Sequence, residues 1–355
     1  MALALFHVAG CGKGNGSAFA KSGKLSIVTT IFPEYDWVKS VLGDRVNETE
    51  VTMLLNNGVD LHSYQPTADD ILKISSCDLF IYVGGESDFW VDDVLKQAVN
   101  KNMVVINLLE SLGDKVKNEE ITEGMEHDHD HDHDEDHDHE HDEDYDHDED
   151  HDHDEDHDHE HDEDHDHDED HDHEHEDEKD EHVWLSLNNA KDICEVICDA
   201  LVKIDSANAE TYKANTKAYT AKLTDLDAKY KEAVNSASKK TVVFADRFPF
   251  RYLVDDYNLE YFAAFSGCSA ESEASFETVI FLANKLDELG LSTVLKIEGN
   301  NHKIAETVRD NTASKNQEIL VMDSMQSTTS DDVKKGANYL SIMEGNLEVL
   351  KNALK

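Results

Sequence analysis

Twenty-two histidines occur in the 355-residue chain, and 18 of them fall between His127 and His175. They lie in a run from 126 to 181 in which every remaining position is acidic except Tyr145 and Lys179. Imidazole nitrogen suits Zn²⁺, Cu²⁺ and Ni²⁺, whereas carboxylates alone suit Ca²⁺ and Mg²⁺, so interleaving the two favours zinc-like ions. A block of twenty residues, EDHDHEHDEDYDHDEDHDHD at 135–154, recurs at 155–174 with His165 for Tyr145 and Glu174 for Asp154. The run holds 36 acids against one lysine, a charge of −35, which leaves −14 of the total −49 for the rest of the chain. With no aliphatic residue and one aromatic, it cannot offset the roughly 1–2 kcal/mol per residue of backbone ordering. The expectation is a disordered His-rich loop of weak, exchangeable ligands that serves an ordered site elsewhere.

Four histidines lie outside the run: His7, His62, His182 and His302. His7 falls near the N-terminus. His62 follows a strand-like run in NNGVDLHSYQPTADD, His182 precedes a helical pattern in DEHVWLSLNNA, and His302 sits between strand and helix in KIEGNNHKIAETV. Asp323 ends the strand-like EILVMDS. Ligands of α/β proteins bind at the carboxyl ends of strands. The four residues His62, His182, His302 and Asp323 are therefore the candidate metal ligands.

The elements that must position them alternate. Strand-like runs at 25–32, 51–55, 78–85 and 103–109 are separated by helical patterns such as 67–75 and 88–100. Thr67 and Asp70 have capping-box spacing. After the His-rich run come a helix at about 188–203 and a polar one at 207–237 without Gly or Pro, about 45 Å long at 1.5 Å per residue. Strand-like runs resume at 241–246, 259–265, 293–299 and 318–324, with helices at 275–290, 302–312 and the C-terminus. The pattern predicts two α/β halves with parallel-type sheets and a helical crossbar. The expected organisation is leader and tether 1–24, N-terminal lobe 25–205 including the run 126–181, linking helix 206–238, and C-terminal lobe 239–355.

Composition narrows the function further. The acidic balance argues against nucleic acid. No stretch of 18 apolar residues could span a membrane. Val8-Ala9-Gly10-Cys11 has the form of a bacterial lipobox, and GKGNGSAFAKSGK after it reads as a tether, which makes Cys11 a lipidation candidate. The apolar run before Cys11 is short and lacks the basic residues of a full signal peptide. Cys194 and Cys198, four apart on a helix, read as buried free thiols. No CxxC pair points to a cysteine-rich structural zinc site.

GVDLHSYQPTADD, EHVWLS and the order of elements resemble the zinc/manganese substrate-binding proteins of bacterial metal ABC transporters, over residues 25 to 355. That family's pattern is Gly-x-Asp-Pro-His-x-Tyr-x-Pro-Thr, an acidic His-rich loop in zinc members, then His-Val-Trp-Leu. The resemblance implies two α/β lobes with parallel-type sheets joined by one long rigid helix, with metal in the inter-lobe cleft, His62 and His182 as its first two ligands and Asp323 as the C-terminal carboxylate. It implies a third ligand after the first strand of the second lobe, where VVFADRFPFRYLV places Ala245, which has no donor atom. His302 is the first candidate replacement; Asp246, Cys268, Glu273 and Glu298 are the others. Arg247 and Arg251 would repel a cation unless paired with Asp255, Asp256 or Glu273.

The function implied is capture of Zn²⁺ outside the membrane, by a monomeric lipoprotein anchored to the outer face of the cell membrane, and delivery to a membrane ABC permease. Binding should weaken as pH falls through about 6.5, where imidazoles protonate. A manganese-binding member of the same family is the alternative, as is an extracellular divalent-metal buffer in which the His-rich run is the function. A zinc hydrolase is disfavoured, since no HExxH, GxSxG or P-loop motif is present.

Overall fold

The β-branched run LSIVT forms strand β1 (Leu25–Thr29), and the chain then alternates strand and helix. The N-terminal half continues through α1 (Phe32–Leu42), β2 (Thr49–Met53), α2 (Ala68–Ser76), β3 (Leu79–Tyr82), α3 (Val91–Lys96), β4 (Val104–Asn107), α4 (Leu108–Leu112) and α5 (Leu187–Ile204). Helix α6 (Ala209–Ser236) leads to β5 (Thr241–Arg247), α7 (Arg251–Tyr257), β6 (Glu260–Phe265), α8 (Phe276–Glu288) and β7 (Thr293–Ile297). The chain closes with α9 (Lys303–Asn311), β8 (Glu318–Met322), α10 (Ser330–Lys334) and α11 (Tyr339–Ala353). The computed structural model describes residues 24–126, 178–269, 273–299 and 303–355. The segment with His7 and Cys11, the repeats of the His-rich run, and His302 lie outside the described residues.

Two four-stranded parallel sheets result, in the orders β2-β1-β3-β4 and β6-β5-β7-β8. Each is a doubly wound unit whose first strand is internal. Loops leaving the carboxyl ends of neighbouring strands therefore converge on one rim. All eight expected strands are present, displaced by a few residues at their ends. The helix expected over 88–100 shrinks to six residues, because Gly85, at φ +84, opens a tight 3-10 turn at Glu86–Asp88 and Gln97 already caps α3. The strand read over 25–32 stops at Thr29. Pro33 sits in the first turn of α1, where a missing N–H is tolerated.

Helix α6 is polar overall but carries a buried stripe: Tyr212, Thr216, Tyr219, Leu223, Leu226, Tyr230 and Val234. That spacing of three and four keeps one face inward. The helix packs against α1, α5, α7 and α11. Each large side chain so buried contributes about 1.5–3 kcal/mol. The Tyr230 hydroxyl donates to the Met343 carbonyl at 2.6 Å, and the Trp37 and Tyr339 rings meet edge-on at 5.2 Å. One hydrophobic core therefore runs from the first sheet to α11, and a smaller one lies between the second sheet and α8 and α9.

The segment 117–126 departs from a simple division into halves. By sequence it belongs to the N-terminal lobe, yet it lies along the C-terminal one. Lys117 N–H is donated to the Tyr252 hydroxyl, Lys117 Nζ pairs with Asp255 at 2.7 Å, and Glu120 pairs with Arg251. Glu126 N–H is donated to the Ala264 carbonyl at 2.9 Å. Gly124 packs so tightly on Phe281 that a Cβ there would lie 2.1 Å from the ring. Where the chain returns, Asn118 and Lys179 form an antiparallel bridge. Both ends of the His-rich run are thus clasped beside the second sheet.

Candidate metal centre

His62 and His182 are built by the same local device. Each sits two residues after an aspartate, in Asp60-Leu61-His62 and Asp180-Glu181-His182. Asp60 Oδ1 accepts from His62 N–H at 3.1 Å and lies 2.7 Å from His62 Nδ1. Asp180 Oδ1 accepts from His182 N–H at 2.8 Å and lies 3.0 Å from His182 Nδ1. A carboxylate on Nδ1 fixes the tautomer and orients the ring so that Nε2 is left for a metal. His62 Nε2 is buried and has no hydrogen-bond partner.

The two family-like motifs are the scaffolds of these turns. In GVDLHSYQPTADD, Asp70 Oδ2 accepts from the Tyr64 hydroxyl at 3.0 Å and from Thr67 N–H and Oγ1, closing the capping box of α2. That holds the single 3-10 turn Leu61–Ser63 carrying His62. In EHVWLS, residues Val183–Leu185 form a buried turn. Trp184 Nε1–H is donated to the Ser324 carbonyl at 2.8 Å, and the Tyr339 hydroxyl donates to the Trp184 carbonyl at 2.7 Å. His182, wholly buried, is therefore anchored to the C-terminal lobe by its neighbour.

The rings of His62 and His182 lie 5.2 Å apart, centroid to centroid. One ring nitrogen of each and Cys268 Sγ all lie within 4.8 Å of one another. This is the one group of three His, Cys, Asp or Glu donors so placed among the described residues. Cys268 reaches it from the loop after β6. Gly267 lies against the His182 ring, and Cys268 N–H is donated to Glu119 Oε1 at 2.8 Å. Burial, with Glu119 and Asp180 alongside, pushes the Cys268 thiol well above the ordinary thiol range.

Glu181 adds a further donor that sequence reasoning passed over. It is 2% exposed, and its Oε1 accepts from Ser87 N–H at 2.9 Å. Its Oε2 has no hydrogen-bond partner and lies 3.8 Å from His62 Nε2. The signal was adjacency to His182. The signal for the two orienting aspartates was the repeated Asp-x-His.

The other candidates fall around this cluster. Ala245 is buried in the core beneath the second sheet. Asp246 accepts from Arg247 N–H and Ile297 N–H, tying β5 to β7. Glu298 accepts from Ser324 N–H and Oγ and from Gln326 N–H, shaping the loop after β8. Glu273 is exposed. Asp323 stands on that same rim, outside the three-donor group, and Oδ1 accepts from Met325 N–H at 2.8 Å. Burial, then the charge of Glu298, push its carboxyl up to about 6. Gln326 turns inward from this loop; its amide NH₂ donates to Asp60 Oδ2 at 2.7 Å and its oxygen lies 2.7 Å from His182 Nε2, a place it must give up when a metal takes that nitrogen. The arginines are neutralised. Arg247 pairs with Asp60 rather than with the acids that sequence suggested, and Arg251 pairs with Glu120 and with Asp255.

Two parallel-sheet lobes on a long helix, with imidazoles held at the rim between them, define a two-lobed α/β metal-binding protein. The chain belongs to the family described as zinc-uptake complex component A, periplasmic, which matches residues 27–353. Members of this family are transport components and not enzymes. The chain is 28% identical over 335 residues to the zinc-binding protein AdcA of Streptococcus pyogenes serotype M3, covering 93% of this chain and 56% of that one. It thus spans little more than half the length of that relative. It is 29% identical over 356 residues to the high-affinity zinc uptake system protein ZnuA of Bacillus subtilis, covering 100% of this chain and 96% of that one. The crystal structure of the Zn(II)-bound ZnuA-like domain of Streptococcus pneumoniae AdcA superposes with a TM-score of 0.65 at 26% identity, covering 94% of this chain and 99% of that one. The metal-dependent lipoprotein YcdH of Bacillus subtilis superposes with a TM-score of 0.67 at 25% identity, covering 93% and 99%.

Proposed function

We propose that the protein captures Zn²⁺ outside the membrane at the rim between its lobes and hands it to a membrane ABC permease. The observation that carries this reading is the pair of Asp-x-His turns, from separate stretches of chain, whose ring nitrogens meet within 4.8 Å. Two imidazole nitrogens at such a distance suit zinc, which takes three or four ligands near 2.0–2.2 Å. Asp323 is the carboxylate assigned to the C-terminal lobe. His302, outside the described residues, is retained as a candidate nitrogen donor. Mn²⁺ is the second reading, since a site of mixed imidazole and carboxylate accepts it. Cys11 is the proposed lipid attachment that holds a monomer at the outer face of the membrane. The His-rich run supplies weak, exchangeable sites.

The test is zinc titration of the full chain against a chelator strong enough to strip the His-rich run. One tight equivalent is expected. His62→Ala and His182→Ala should each abolish it, and unchanged affinity in both would reject the site.

A further inference from the structure

We propose that Cys268 is a direct ligand of the same ion, and that its sulfur restricts the cargo to thiophilic divalent ions such as Zn²⁺ and Cd²⁺, against Mn²⁺. The inference rests on the two-histidine site proposed above and departs from the all-imidazole-and-carboxylate set that the family pattern implies. Three observations converge. Cys268 Sγ lies within 4.8 Å of a ring nitrogen of both His62 and His182. The position where a third ligand was expected is Ala245, which is buried in the core and has no donor atom. His62 Nε2 and Glu181 Oε2 are buried at the same place, and neither has a hydrogen-bond partner.

The sulfur is also held in place. Its residue is fixed on one side by Gly267 against the His182 ring and on the other by Glu119 on the segment 117–126. Soft thiolate ligands favour zinc-like ions, while manganese prefers carboxylate, carbonyl and water. As the metal–sulfur bond forms, the thiol proton passes to solvent and the sulfur lone pair becomes the donor. A second negative ligand suits a divalent cation here, because the Arg247 charge is already neutralised by Asp60.

The sulfur can be read without interference from the His-rich run, which contains no cysteine. Cys77, Cys194 and Cys198 are buried and lie outside the cluster. The experiment is therefore Cd²⁺ titration of the reduced full-length Cys11→Ser chain, followed by near-ultraviolet absorbance. One equivalent should produce a thiolate-to-cadmium charge-transfer band. Cys268→Ser should lose the band and weaken binding by at least the roughly 10–100-fold that removal of an outer hydrogen-bond partner costs. Cys268→Asp, which keeps a donor and carries the test should the serine variant not fold, should bind one equivalent without the band and gain affinity for Mn²⁺. One tight Cd²⁺ without any band, abolished by His62→Ala, would overturn the sulfur ligand and leave the histidine site standing. A band that survives in Cys268→Ser would do the same. Tight binding that survives both His62→Ala and His182→Ala would overturn the site itself.

Discussion

Arg247 Nη2 donates to Asp60 Oδ2 at 2.8 Å, while the other oxygen of Asp60 lies 2.7 Å from His62 Nδ1. One carboxylate thus orients a candidate ligand of the N-terminal lobe and grips the end of β5 in the C-terminal lobe. Burial opposes its ionisation, but the His62 hydrogen bond and the Arg247 charge outweigh burial and hold Asp60 below the usual carboxylate range. Asp60→Ala should lower zinc affinity by about 10–100-fold, as loss of a histidine's outer partner does. Asp60→Asn keeps an acceptor for Nδ1 and should lose less. Arg247→Met leaves the Asp60–His62 contact in place, so its smaller effect on affinity measures the inter-lobe part alone. Competition titrations would rank the three, and an Asp60→Ala chain with wild-type affinity would contradict this account.

Gly267 predicts a steric effect on the site. A Cβ there would lie 3.0 Å from His182 Cε1 and 3.0 Å from the Phe248 carbonyl oxygen. The carbonyl belongs to the backbone and cannot swing away, so the ring must yield. Gly267→Ala should weaken zinc binding by about tenfold, the low end for a displaced ligand orientation, with little change in secondary structure. Isothermal titration and circular dichroism on one preparation would test both halves.

Glu34 sets a pH dependence of stability. Its carboxyl is wholly buried, and Oε2 accepts from Thr30 N–H, Thr30 Oγ1 and Ile31 N–H at the start of α1. Burial, helped by the charge of Asp88, pushes its pKa up to about 8 from 4.5. Folding therefore favours the protonated acid, and the unfolded chain releases that proton first as pH rises. Stability from this group is present below the unfolded pKa of about 4.5 and declines as pH rises toward 8. Glu34→Gln keeps the shape without the charge. Melting temperature against pH should flatten over that window in the variant, and equal slopes in both proteins would refute the assignment.

Trp184 predicts a stability effect through the lobe contact. Its indole N–H is donated to the Ser324 carbonyl at 2.8 Å, with both residues buried. Trp184→Phe removes the donor and leaves that carbonyl without it, so unfolding free energy should drop by about 1–3 kcal/mol. Chemical denaturation would register the change.

The alternation of strand and helix was readable because hydrophobic period and turn chemistry are local properties. The long helix was equally plain, since the mostly polar stretch 207–237, without Gly or Pro, has few other solutions. His62 and His182 could be picked out because so few histidines lie outside the acidic run. The short α3 could not, because glycines at positive φ just ahead of it and its early cap override the periodic pattern.

The amino-acid order alone determined the alternation of strand and helix, the long helix and two histidines suited to a metal, because each is read from neighbours within a few residues. Only the tertiary structure decided what completes their surroundings. Cys268 is 86 residues from His182 along the chain, and no spacing rule joins them. They meet because parallel sheets gather the carboxyl ends of distant strands on one rim, and because the segment 117–126 crosses to the second lobe to hold the cysteine loop there. The pairing of Arg247 with Asp60 has the same origin: charges find partners by proximity after folding, not by order in the chain.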